Sequence, residues 1–309
     1  MRLRPEPADD DTLALLHTRD HIAHIRALSD ANGGDAGQLT PMGRGSFEIA
    51  ALAVGGSITA LDAVLTGQVQ NAYALVRPPG HHALADLAMG FCLFGNVAIA
   101  VKKALAEQRV ERVAIIDWDV HHGNGTEAAF WRDSRVLTLS IHQDSLFPPD
   151  SGHLEANGEG DGAGYAINLP LPPGSGDGAY LAAMDDLVLP ALRRYRPDVI
   201  VVASGFDAAG VDPLGRMMVS SEGYRAMTEK LMEAADALCD GRLVLSHEGG
   251  YSSMYAPYCG LAVMEALTGV RTGIEDPWAP LMADWGGQAL QPHQAEMIAA
   301  TAPLIERVC

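Results

Sequence analysis

Three short segments carry residue types and spacings that could do chemistry together. Asp119-Val120-His121 sets a carboxylate and an imidazole two positions apart. In an extended segment such residues point to one side and can reach one ion. Asp207, downstream at another expected strand end, offers a third ligand. Two carboxylates, one imidazole and an open position suit a catalytic Zn2+, or Fe2+, that carries water. An isolated D-x-H is more often a pair of ordinary loop groups, but this one is flanked by Asp117, His122, Gly123 and Gly125. His81-His82 follows Pro78-Pro79-Gly80, a stiff turn that fixes where the imidazoles point. A neutral imidazole beside a metal-activated water can take its proton. A carboxylate would hold the other ring nitrogen protonated, and Asp117 is the best candidate for it. Gly249-Gly250-Tyr251 places a phenol on a close-approach turn, where it can donate to a developing oxyanion. Tyr255 and Tyr258 read as structural.

These segments need a scaffold that brings them together. Ala72–Val76, Val113–Ile116, Val136–Ser140, Val199–Ala203 and Leu243–Leu245 are short apolar runs that fit strands buried on both faces. Between them lie helical patterns over Ser46–Thr66, Asn96–Gln108, Gly178–Tyr195, Ser221–Leu238 and Tyr258–Leu267. Ser46 (with Glu48 in the first turn) and Ser221 (with Glu222) mark helix starts. The alternation predicts one α/β domain with a mainly parallel central sheet flanked by helices, and no linker divides it. Each polar segment follows one of the strands. In open α/β sheets ligands bind beyond the carboxyl ends of strands, so all of these loops should meet at one rim.

Composition narrows the function classes. The chain has 309 residues, 48% of them hydrophobic, and a formal charge of −18. This is the composition of a globular domain and not of a disordered chain. The negative balance argues against direct nucleic-acid binding and is compatible with cationic substrates. The polar start, Met1 to Asp11, does not read as a secretory signal, and no apolar run is expected to span a membrane. Cys92, Cys239, Cys259 and Cys309 show no paired spacing. They read as reduced, buried thiols of a cytoplasmic protein.

With these residues in hand, the sequence resembles the zinc-dependent histone deacetylase family. Within it the chain is most similar to class II-like bacterial amidohydrolases, including acetylpolyamine amidohydrolases. The segments that carry the resemblance are VRPPGHHA (76–83), MGFCLFGNVAIA (89–100), IDWDVHHGNGT (116–126), SIHQDSLFPPDSG (140–152), SGFDAAGVDPLG (204–215) and HEGGYS (247–252). They keep the family's order through most of the chain. The resemblance implies an arginase/deacetylase-like fold with the active site at the C-terminal ends of the strands. It implies that Asp119, His121 and Asp207 hold zinc, and that His82 acts as base and then acid. His81 would be its electrostatic partner, with Asp117 supporting His81 and Asn124 orienting His82. Tyr251 would polarise the amide carbonyl. Gly90, Phe91 and Phe147 would wall a substrate tunnel. It also implies K+ at Asp117, Asp119, His121, Ser140 and Ile141, and at a second site formed by Phe130, Asp133, Val136 and Tyr165. Glu248 is expected at or near the centre.

The activity implied is removal of acetyl or other acyl groups from N-acylated amines, first of all acetyl-lysine in peptides, with acetylpolyamines as the alternative. A two-metal, arginase-like hydrolase is disfavoured because Gly123 stands where a further carboxylate would be needed. A non-catalytic acyl-lysine-binding module is disfavoured by the intact ligands, both histidines and Tyr251. Members of the family usually begin with another strand and helix before the segment resembling HTRDHIAHIRAL (17–28), so an edge strand and a rim loop are expected to be missing. Ala31–Gly45 should form a second rim loop whose Asp35 contacts the substrate backbone. Related bacterial proteins are often dimers or tetramers, so a homo-oligomer is expected.

Overall fold

All five apolar runs form strands in the computed structural model, which describes residues 1–308. They are β1 (Asn71–Ala74), β2 (Val113–Asp117), β3 (Val136–Gln143), β5 (Val199–Ser204) and β6 (Leu243–His247), joined by β4 (Ala166–Leu171). The six-stranded sheet has the order β1-β6-β5-β2-β3-β4, and every pairing in it is parallel. The expected fold class therefore holds. The sequence reading missed β4 because Ala-Ile-Asn-Leu-Pro-Leu mixes a polar residue and a proline into a short run. Pro170 is tolerated because β4 is an edge strand, paired only with β3.

Successive residues of the central strands feed opposite faces. Ala114, Ile116, Leu137, Leu139, Ile200, Val202 and Leu245 pack with Tyr180, Leu187, Tyr224, Leu231 and Val263 in the larger core. Val113, Ile115, Val136, Val199, Val201 and Val244 pack with Leu61, Val64, Val97, Val101 and Leu105 on the other face. Burial on both faces explains why these strands read as continuous apolar runs and not as alternating ones. A third cluster, including Leu13, Ile22, Ile25, Phe47 and Phe94, fastens the N-terminal region beside the sheet.

The helices need three corrections. Ser46 is not a cap: Gly45, at φ +82°, precedes the helix Ser46–Leu65, and the Ser46 hydroxyl accepts from Gly43 N at 3.1 Å. The helix Ser221–Leu238 starts where expected, with Ser220 as its cap, whose hydroxyl accepts from Gly223 N. The pattern over 178–195 is not one α-helix but Asp177–Ala183 and Leu189–Tyr195, joined by a π-turn over Met184–Val188 just before Pro190. Finally, Ser46–Leu65 is long and apolar enough, by length and composition, to cross a membrane, contrary to the expectation that no run was. Most of that helix is buried, with Phe47, Ala50, Ala51 and Val54 in the third cluster and Ala60, Leu61 and Val64 in the second, which accounts for its apolarity. Cys92, Cys239 and Cys259 are free and buried, as expected; Cys309 lies outside the described residues.

Candidate active site

Asp119 lies two residues past the end of β2, and Asp207 three past the end of β5. The two strands are sheet neighbours, in register from Val113 opposite Val199 to Asp117 opposite Ala203. That pairing brings together carboxylates 88 positions apart in sequence. His121 Nδ1 lies 3.0 Å from Asp119 Oδ1 and 3.2 Å from Asp207 Oδ2. One ligand atom from each of the three residues falls within 4.8 Å of the others, and all three side chains are buried.

Most oxygens of this cluster are already committed. Asp119 Oδ2 accepts from Gly249 N at 2.8 Å, and Asp207 Oδ1 accepts from Val120 N at 2.9 Å. Asp207 Oδ2, however, is buried without a well-formed hydrogen bond, although His121 Nδ1 stands 3.2 Å from it. Burial, together with the nearby Asp119, pushes the Asp207 carboxyl up to about 7. Burial works against a charge on His121, but Asp119 and Asp207 outweigh it and carry its pKa up to about 10. An oriented, orphaned oxygen among two carboxylates and an imidazole fits a divalent cation with N/O ligands. Gly249 makes this packing feasible: a Cβ there would sit 2.1 Å from Asp207 Oδ2 and 2.7 Å from Asp119 Oδ2.

The two histidines follow β1, but their partners come from the loop after β2. His81 Nδ1 donates to Asp117 Oδ2 at 2.9 Å, and His82 Nδ1 donates to the Asn124 amide oxygen at 2.7 Å. The ring centroids lie 4.0 Å apart, with the planes tilted by 39°. Their electrostatics diverge. Burial disfavours charge on His81, yet Asp119 and Asp117 together hold its pKa well above the usual imidazole value. Burial, then repulsion from His81 and His121, drives His82 well below it. A pair of neighbouring groups with pKa values pushed apart is the arrangement expected of an acid/base pair.

Tyr251 stands on the loop after β6. Burial, then Asp207 and Asp119, push its phenol far above the usual value, so it remains an O–H donor. Phe91 meets Tyr251 edge-on at 5.7 Å, and Phe147 meets His82 edge-on at 5.0 Å. Gly90, at φ +54°, passes between these groups. A Cβ on Gly90 would lie 2.4 Å from His82 Cδ2 and 2.9 Å from Phe147 Cε1. Of the three residues named for the tunnel, Gly90 and Phe147 therefore lie against His82, and Phe91 lies against Tyr251.

The rim loop reaches this wall through its backbone. Gly37–Gln38 pairs with Ala88–Met89, and Gly90 N and Phe91 N donate to Gln38 O and Leu39 O. Asp35 is exposed, and its carboxylate accepts from Gly37 N and Thr40 N within its own loop. Among the residues named for K+, Asp117 and Ser140 are direct partners across the β2–β3 ladder, and Ile141 follows in β3. The Phe130 carbonyl receives Asp133 N, the Asp133 carbonyl receives Val136 N, and the Tyr165 carbonyl receives Thr138 N.

Two supports were not foreseen as such. Asp212, in the loop after β5, accepts through Oδ2 from Tyr251 N at 2.6 Å and Ser252 N at 3.0 Å, and through Oδ1 from Leu214 N at 2.9 Å. It ties the phenol's loop to the metal-ligand loop. The acidic residue in a Val-Asp-Pro-Leu-Gly turn was the available signal, but nothing in the sequence shows what it reaches. Glu248 was expected near the centre; its Oε2 accepts from Gly80 N at 2.6 Å and His81 N at 3.1 Å, clamping the turn that carries both histidines.

Comparison with known proteins places this geometry. A histone deacetylase domain profile matches residues 1–267. The chain is 55% identical to a histone deacetylase-like amidohydrolase of Pseudomonas aeruginosa over 88% of this chain and 71% of that protein. It is 40% identical to a probable deacetylase of Archaeoglobus fulgidus over 86% of this chain and 74% of that protein. Its fold matches the crystal structure of the HDA15 HD domain with a TM-score of 0.86 and 31% identity, covering 98% of this chain and 82% of that one.

Proposed function

The chain belongs to the histone deacetylase family, a family of metal-dependent hydrolases, and from that premise we propose that it hydrolyses the amide bond of acetyl-lysine in peptides. The observation that carries the reading is the cluster of Asp119, His121 and Asp207, with its orphaned Asp207 oxygen, set beside a histidine kept neutral by its surroundings. A Zn2+ held by those three side chains would act as a Lewis acid on the substrate carbonyl and acidify a water.

The chain's own groups divide the remaining work. The His82 Nδ1–H is committed to Asn124, which leaves Nε2 free to take a proton from the attacking water. Asn124 is a neutral acceptor, so it fixes the ring without drawing a second charge into the site. His81, paired with Asp117, supports positive charge next to His82. The histidine pair returns a proton to the leaving amine nitrogen. The Tyr251 hydroxyl donates to the carbonyl oxygen as negative charge develops there. Phe91 and Phe147 would hold the methylene stem of a lysine side chain, and Asp35 at the rim would receive the peptide backbone. K+ at the Asp117/Ser140 position and near Phe130, Asp133, Val136 and Tyr165 would fix the strand ends through oxygen ligands.

A panel of acetyl-lysine peptides, longer acyl-lysines and acetylpolyamines, assayed with Zn2+ and K+ present, tests the reading. Tyr251→Phe and His82→Ala should each lower deacetylation of peptides by about 10² or more while the fold survives. Cleavage of acetylpolyamines alone would overturn the lysine assignment. Near-normal turnover by metal-replete Tyr251→Phe would overturn the role given to the phenol.

A further inference from the structure

Beside the catalytic cluster lies a second set of convergent donors. One ligand atom each of His81, Cys92 and Glu248 lies within 4.8 Å of the other two. All three residues are buried, at 3%, 0% and 3% exposure. None of them belongs to the Asp119, His121 and Asp207 set. They arrive from separate elements: His81 after β1, Glu248 after the adjacent β6, and Cys92 from the turn that closes a bridge between Met89 and Cys92.

The Glu248 carboxylate points to a ligand. Its Oε2 is saturated by two backbone N–H groups, whereas Oε1 is buried with no partner at all. A carboxylate oxygen anchored in place and left without a donor is the arrangement expected where a cation can enter. The surroundings favour positive charge, since Asp117 and Asp119 both lie against His81. We propose that His81, Cys92 and Glu248 form a second site for a soft divalent cation, filled only at excess metal and inhibitory when filled.

The donor set selects the class of ion. A thiolate, an imidazole and a carboxylate together suit Zn2+ or Cd2+ and not K+ or Mg2+. The Cys92 thiol now donates to Gly90 O at 3.4 Å; its proton, and one from the His81 ring that Asp117 and Asp119 keep charged, would leave to solvent as the metal bonds form. This set offers one carboxylate against the two of the Asp119 cluster and must give up a thiol proton to bind, so it holds a divalent ion more weakly than that cluster. Filling it removes one imidazole nitrogen of His81 from its present use. The inhibitory clause therefore rests on the role proposed for His81 above; the binding clause does not.

Cobalt separates the two. Zinc-loaded holoenzyme titrated with Co2+ should develop a near-ultraviolet thiolate-to-cobalt band as the second site fills. Cys92→Ser and Cys92→Ala should abolish the band and keep turnover at stoichiometric zinc. They should also raise the Zn2+ concentration that halves turnover by about tenfold or more. Glu248→Gln should weaken the band if the cysteine variants fold poorly. A band that persists without Cys92, or no band in the parent, overturns the site. A Cys92-dependent band with undiminished turnover upholds the site and overturns the role of His81.

Discussion

Asp212 offers a sharp test because it touches neither metal ligand nor substrate. Its Oδ2 holds Tyr251 N and Ser252 N at 2.6 and 3.0 Å, and its Oδ1 holds Leu214 N at 2.9 Å. Asp212→Ala strips acceptors from three N–H groups, each costing about 1–3 kcal/mol if left buried and unpaired. The loop would shift to solvate them, and the phenol would shift with it. A misplacement of about 1 Å in a catalytic group can cost about 10²-fold, close to the 10²–10³ lost when an oxyanion donor is removed outright. Asp212→Ala should thus lower kcat on an acetyl-lysine peptide by about 10²-fold with metal content unchanged. Asp212→Asn, which keeps one acceptor oxygen, should lose less. If Asp212 acts only through Tyr251, the Asp212→Ala/Tyr251→Phe double variant should be no slower than Tyr251→Phe. The coupling in that cycle would be about 2.7 kcal/mol, the equivalent of two factors of ten. Multiplicative losses in the double variant, or loss of bound metal from Asp212→Ala, would refute the reasoning.

Three further outcomes are expected. Gly90→Ala should cut kcat by about tenfold or more without releasing metal, because the new methyl meets the His82 and Phe147 rings at 2.4 and 2.9 Å; metal analysis with steady-state kinetics checks it. Asp207→Asn should lose tightly held metal on dialysis, measured by elemental analysis, since it replaces one of the cluster's two carboxylates by a neutral amide. The third concerns acid stability. Burial, then repulsion from His21, lowers the His17 pKa to about 3, and the neutral ring donates from Nδ1 to Leu84 O and accepts from Gly95 N at Nε2. Its folded value lies below the unfolded one of about 6.5, so it takes nothing from stability above that pH. Stability should then fall by about 1.4 kcal/mol per unit as the pH drops from about 6.5 toward 3. Denaturant melts at pH 7 and 5 should show this dependence reduced in His17→Gln; an unchanged difference would refute it.

The parallel sheet, the loops that carry the site and the residues Asp119, His121, Asp207, His81, His82 and Tyr251 were legible in the sequence. Fully buried strands advertise themselves as apolar runs, and metal and proton chemistry admits few residue types. Local spacing also kept Asp119 and His121 together, but they meet across a bend in which His121 N donates to Asp119 Oδ1 at 2.9 Å, not along the extended segment expected. What spacing could not supply was the strand order. Only the β5–β2–β3 adjacency brings Asp207 beside Asp119 and Asp117 beside Ser140. The edge strand β4 stayed hidden because one-sided pairing tolerates a proline that sequence patterns count against a strand. Asp212 and Glu248 were visible as acids, but their work consists of hydrogen bonds to backbone 39 and 168 positions away. Side-chain type reports what a group can donate or accept; which backbone amides it meets is decided by non-local packing, and that exists only once the chain has folded.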